Sequence, residues 1–185
     1  SSIEKVKREV DEVIKTSKKS SEDSEKLVRD VEERLRKLVK DVRDRVKRVI
    51  EEMERLVRER KDKDVRKELR ELVRDVEREV KRVEDEMEKL LRDIEEEVRR
   101  DIKRSRELVD EVRRRVADVI RKDGEESELV ERLKEVLKRL EEVSEESERR
   151  NREVVRRLED TARKLTEELR RVLTELRDVL RRLEK

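Results

Sequence analysis

Residues 53–72 read MERLVRERKDKDVRKELREL, and the fold turns on the letters in the middle. Up to Val57 apolar residues recur every three or four positions, and from Val65 onward they do so again. Between them Arg60 to Asp64, RKDKD, carries no apolar group, so a helix through it would have nothing to bury. Asp62 or Asp64 is placed to accept hydrogen bonds from the open N–H groups that begin a following helix. The stretch therefore reads as a tight turn between two helices.

Working outward, a second break falls at Lys122-Asp123-Gly124, which holds the chain's one glycine. Glycine takes the left-handed conformation that ends a helix without a steric penalty. Acidic Glu125, Glu126 and Glu128 then suit the positive end of the next helix, and Ser1 with Glu4 fits a capping box at the start. The expected helices span about 2–60, 64–122 and 126–184. At 1.5 Å per residue each is about 90 Å long. Three helices of matched length joined by short turns must run up, down and up. The expectation is all-α: one elongated, antiparallel three-helix rod over residues 1–185, built of nearly straight helices.

Each helix has an apolar line to bury. The first runs Ile3, Val6, Val10, Ile14, then Val28, Val31, Leu35, Leu38, Val42, Val46, Val49, Met53 and Val57. The second includes Leu69, Leu72, Val76, Val80, Met87, Ile94, Val98, Val109, Val112 and Val116, and the third Leu129, Leu133, Leu140, Val154, Leu158, Ala162, Leu169 and Leu176. Steps of three and four keep each line on one helical face. The mean spacing is about 3.6, nearer a straight helix than the 3.5 of a left-handed supercoil. Doublets such as Val49-Ile50, Leu90-Leu91 and Val172-Leu173 widen the stripes, so that each helix can touch two neighbours.

Between Ile14 and Val28 the same rhythm lands on Ser17, Ser21 and Ser24. Folding the rod about its turns carries residues near 20 opposite Ser105, and Ser105 opposite Ser144, with Ser147 and Asn151 close by. All lie on the apolar lines, so a polar layer crossing the core is expected from Ser17, Ser21, Ser24, Ser105, Ser144, Ser147 and Asn151. Two local readings stand open. Either the first helix continues, its hydroxyls bonding one another, water or its own carbonyls, or it breaks near residues 18–22. Lys15, Lys18 and Lys19 suit a helix C-terminus, and Ser20 with Asp23 resembles a restarting capping box. A buried hydroxyl without a partner costs roughly 1–3 kcal/mol. Two consequences stand side by side: the layer merely fixes register, or residues 1–19, which rest on Ile3, Val6, Val10, Val13 and Ile14 for docking, are the least firmly held segment and fray or swing away.

Composition narrows the chemistry. Of 185 residues 61% are charged and 31% hydrophobic, with no aromatic, His, Cys or Pro, and 57 basic residues against 55 acidic ones leave a net charge of +2. Such charge with so little hydrophobicity signals disorder in most chains, but helical periodicity and mixed signs point to long helices or a coiled coil. Without His or Cys no side chain titrates near neutrality unless a Lys or carboxylate is buried. Glu-x-x-Glu spacings are solvated faces, and the Glu-x-x-His of di-iron bundles is missing. One glycine cannot build a phosphate loop. No catalytic, cofactor or metal residues are expected, and no small-molecule substrate; a Ser–Lys dyad at Ser17 or Ser105 is the remaining enzymatic option. The basic stretch RRDIKRSR, Arg99 to Arg106, lacks aromatics to stack bases, so no nucleic acid is expected. Neither a membrane span nor a signal peptide's apolar centre is visible, and a soluble chain is expected.

As a whole the sequence resembles a computationally designed helical bundle. Matched near-straight helices, Arg/Lys/Glu/Asp surfaces, Val/Leu/Ile cores, the KDG turn and a polar layer among apolar ones all follow idealised rules of patterning and capping. It departs from usual design practice in its number of serines at one level, where larger amides would be favoured. The resemblance implies a synthetic scaffold with no evolved activity, expected to be monomeric and, as a synthetic product, made in a bacterial cytoplasm. Two alternatives accompany it. One is a switch in which residues 1–19 detach and leave a groove for a partner helix or a domain-swapped second copy. The other is a spectrin-like spacer or interaction domain, against which the missing core aromatics speak.

Overall fold

The computed structural model describes residues 2–124 and 128–185. Three long helices make up the fold: α1 Ser2–Glu59, α2 Val65–Asp123 and α3 Glu128–Glu184, with no strand among the described residues. Glu, Lys, Arg and Leu lose little side-chain freedom in a helix, and neither Gly nor Pro interrupts any of the three. α1 is continuous through Lys15–Leu27, so the break considered near residues 18–22 does not form. Local hydroxyls there are taken up by the helix itself. The Thr16 Oγ1 donates to the Glu12 carbonyl at 3.0 Å, and the Ser21 Oγ to the Lys18 carbonyl at 3.0 Å.

The first turn is held by Arg60. Its N–H donates to the Leu56 carbonyl at 2.9 Å, while its guanidinium reaches Asp62 at 2.8 Å and Glu68 at 2.7 Å. The Arg60 guanidinium beside Asp62 holds that carboxyl below the usual carboxylate range, helped by backbone N–H groups of Asp64 and Val65. The Asp62 carboxylate thus lies beside the N–H groups that open α2, and the Asp64 carbonyl accepts the Glu68 N–H at 3.0 Å. At the other turn Gly124 takes φ 78°, and its N–H closes α2 onto the Ile120 carbonyl at 3.1 Å. The expected contributions of Ser1, Glu125 and Glu126 lie outside the described residues.

The chain forms two compact units, each drawing one stretch from every helix. One comprises Ser1–Arg29 and Asp93–Arg157. Within it Glu9 pairs with Arg115 at 2.7 Å and Ser17 meets Ser105, so numbers fall along α2 as they rise along α1. Arg106 with Glu148 and Arg113 with Glu141 likewise set α3 antiparallel to α2. Its core gathers Ile3, Val6, Val10, Val13 and Ile14 with Val109, Val112 and Val116 and with Val130, Leu133 and Leu140.

The other comprises Asp30–Arg92 and Leu158–Lys185. Arg34–Glu86 and Arg45–Glu79 bind α1 to α2 in opposite directions, as Arg70–Glu184 and Arg177–Glu77 bind α2 to α3. Along α1 and α3 the numbers climb together: Glu32 with Thr161, Arg43 with Glu168, Glu54 with Arg182. α1 and α3 therefore run parallel here, with α2 against both. Leu35, Met53, Leu69, Leu158, Leu169 and Leu176 are almost completely enclosed in its core.

Three expected core positions move by one residue. Leu38, Leu72 and Leu129 give way to Val39, Val73 and Val130, which are 1%, 2% and 0% exposed, while Leu129 is 41% exposed. In each doublet the compact β-branched residue takes the central place and the leucine lies at the edge, half-buried at Leu38 and Leu72. Adjacent residues point about 100° apart on a helix of 3.6 residues per turn. A wide stripe accepts either of them, and the neighbouring helices decide which one is central.

Candidate functional site

α1 carries Ser17, Ser21 and Ser24 on the face that elsewhere carries Val and Leu, and all three are buried. α3 adds buried Ser147 and Asn151 with half-buried Ser144, and α2 adds half-buried Ser105. All seven belong to the same compact unit.

Hydrogen bonding gathers on Ser17. Its hydroxyl lies 3.4 Å from that of Ser105, and its main-chain carbonyl accepts the Ser147 Oγ at 2.6 Å. Ser17 thus touches α2 with its side chain and α3 with its backbone. The level differs from the sequence-based one by about a turn, because Ser17 rather than Ser21 meets Ser105, and Ser147 rather than Ser144 reaches α1. Counting residues from the centres of two turns fixes facing positions only to within a turn. Ser21 instead turns its hydroxyl to the Lys18 carbonyl. Lys18 enters this arrangement through its main chain, and Ser17 bonds a second hydroxyl rather than an amine, so neither adopts the geometry of a Ser–Lys nucleophile pair.

Two buried polar atoms have no protein partner: the Ser20 Oγ and the Asn151 Oδ1. Asn151 is 2% exposed, so its amide oxygen stands out of reach of bulk water. Clefts flank the serines on both sides of α1. One of about 430 Å³ lies between α1 and α3 and is lined by Lys18, Ser21, Glu142, Glu146, Ser147 and Arg150. The Arg149 guanidinium, with Arg150 behind it, keeps the Glu146 carboxyl at its rim below the usual carboxylate range. The second, about 380 Å³, lies between α1 and α2 beside Thr16, Ser20, Ser105 and Leu108, the last 38% exposed.

One buried polar residue escaped the sequence reading. Glu32 stands four positions before Arg36, the spacing of an outer-face ion pair, and that contact exists at 3.7 Å, but Glu32 is 5% exposed and accepts the Thr161 Oγ1 at 2.7 Å. The signal was present, since position 32 lies four after Val28 and three before Leu35, on the apolar stripe itself. Among the described residues no group of three or more acidic side chains could hold a metal ion, and no helix is long and apolar enough to cross a membrane.

No family model matches this chain, and neither does any curated protein. Among solved structures it is similar to a computationally designed three helix bundle, with a TM-score of 0.60 at 21% sequence identity over 98% of this chain and 83% of that one. At that identity the likeness establishes a common fold: three long helices packed as a bundle.

Proposed function

We propose that the chain is a designed structural scaffold, a single three-helix bundle over residues 1–185 with no evolved catalytic activity, in which Ser17, Ser21, Ser24, Ser105, Ser144, Ser147 and Asn151 form a layer that fixes helix register. The observation that carries this reading is the contrast inside the core. Apart from Glu32, the polar residues buried among the described ones are Ser17, Ser21, Ser24, Ser147 and Asn151, with Ser105 and Ser144 half-buried beside them, in a setting otherwise of Val, Leu, Ile, Met and Ala. The Ser17–Ser105 and Ser147–Ser17 bonds cross between helices and are lost in a slipped alignment, so such a layer disfavours slipped registers and wrong oligomers more than it stabilises the right one. The mixed-sign surface serves solubility. The test is mass determination together with circular dichroism on the full chain and on a variant carrying Val at Ser17, Ser105 and Ser147. The reading expects a helical monomer for the parent chain and a more stable but oligomerically mixed variant. A variant that gains stability while remaining a uniform monomer would remove the register role. A parent chain that is not a folded helical protein would remove the scaffold.

A further inference from the structure

Residues 2–14 of α1 sit in a groove whose other two walls are Val109, Val112 and Val116 on α2 and Val130, Leu133 and Leu140 on α3. Ile3, Val6, Val10, Val13 and Ile14 fill that groove, and Glu9 pairs with Arg115 at its rim. The next three inward positions are Ser17, Ser21 and Ser24, which bring hydroxyls in place of apolar docking groups; those of Ser17 and Ser21 are hydrogen-bonded. The N-terminal apolar contacts are thus separated from those that begin at Val28.

The backbone at that separation is marked as well. Hydroxyls are bonded to three nearby α1 carbonyls, those of Glu12, Ser17 and Lys18, and the one at Ser17 comes from α3. Side-chain hydroxyls that share helix carbonyls compete with the main-chain ladder and bend or weaken it locally. Clefts of about 430 and 380 Å³ open on the two flanks of the same turns, and the buried Ser20 Oγ there has no protein partner.

We infer that residues 2–14 open as a unit about a hinge at Ser17–Ser24, and that the vacated groove is an interaction surface for the same segment of a second copy. The occupant follows from complementarity. The groove's apolar walls and Arg115 match the spacing of Ile3, Val6, Val10, Val13 and Ile14 and the charge of Glu9, so another copy's N-terminal segment restores every contact that opening removes. Reciprocal exchange closes as a two-fold dimer.

Because the chain has no cysteine, the exchange can be read by placing one pair. The full chain carrying Glu9→Cys and Arg115→Cys is concentrated, warmed briefly and separated by size, with the parent chain run alongside. A short bismaleimide is then added to each fraction. The inference expects a dimer fraction that cross-links between chains and a monomer fraction that cross-links within one. It also expects amides of residues 6–14 to exchange by local opening about 100-fold faster than those of residues 35–46. Ser17→Val with Ser21→Leu and Ser24→Val should erase most of that difference and suppress the cross-link between chains. Absence of a dimer, a dimer cross-linked only within chains, or equal exchange in the two segments would overturn the inference. Helicity and monomer mass, which test the scaffold, are read independently.

Discussion

Ser17 shows how much one small side chain can settle when it sits on an apolar face. Its hydroxyl and carbonyl serve α2 and α3 at once; a valine at that place would keep the carbonyl's bond from Ser147 and lose the hydroxyl's contact with Ser105. Glu32 is the same problem with a charge. Its carboxylate is buried, pairs with Arg36 and accepts from Thr161, so Thr161→Val, which removes one of its partners, should destabilise the protein by about 0.5–1.5 kcal/mol in urea titration, the usual net worth of one hydrogen bond. Glu32→Gln, which keeps an acceptor, should cost less. At the first turn Asp62 has a folded pKa below its unfolded one, through Arg60 and the N–H groups of Asp64 and Val65. A depressed carboxylate stabilises the fold above its unfolded pKa and loses that contribution as pH falls through the folded value. Asp62→Asn should therefore lower the melting temperature at neutral pH, and the gap to the parent should shrink in strong acid. Gly124 is the other constrained residue. With φ 78° and nothing within 4 Å of an added Cβ, Gly124→Ala meets no neighbour and should cost only the left-handed backbone penalty, about 1–2 kcal/mol by chemical denaturation.

Each helix is set by its stripe. The three-four rhythm made all three elements legible, including the phase of Ser17, Ser21 and Ser24, which are buried where Val or Leu would have been. Continuity of α1 was not legible, because Lys15 to Asp23 carries signals for both an end and a restart, and local propensity is too weak to choose. In the folded protein the helix runs through: the Thr16 and Ser21 hydroxyls turn back to the Glu12 and Lys18 carbonyls, and Ser147 bonds the Ser17 carbonyl without interrupting α1. The doublets were also undecided. Leu38-Val39, Leu72-Val73 and Leu129-Val130 each offer two candidates, and packing against the other helices selected valine in each. Filling the serine positions tests this scale. Ser17→Val with Ser21→Leu and Ser24→Val should raise the urea midpoint without changing the slope. The gain is bounded above by about 1.5–3 kcal/mol per buried side chain and reduced wherever the clefts prove too small to take the added atoms.

For the molecule as a whole, charge does little of the holding. The described ion pairs are mostly exposed, as Lys15–Glu12 at 76% and 74% illustrates, and exposed pairs contribute about 0–1 kcal/mol each. With a net charge of +2, raising salt from 0.1 to 1 M should move the melting temperature by no more than a few degrees, as followed by circular dichroism. A large loss would show that the pairs between helices, such as Arg45–Glu79 and Arg106–Glu148, carry more of the stability than the apolar stripes. The sequence by itself determined three helices, their turns at Arg60–Asp64 and Gly124, and the face each must bury, because periodicity and breakers are local properties of the chain. It could not determine which member of a doublet is central, which serine meets which, that Glu32 turns inward to Thr161, or that clefts remain beside Ser20 and Ser21. Those depend on side chains from three helices competing for one volume, and only their packing together decides the outcome.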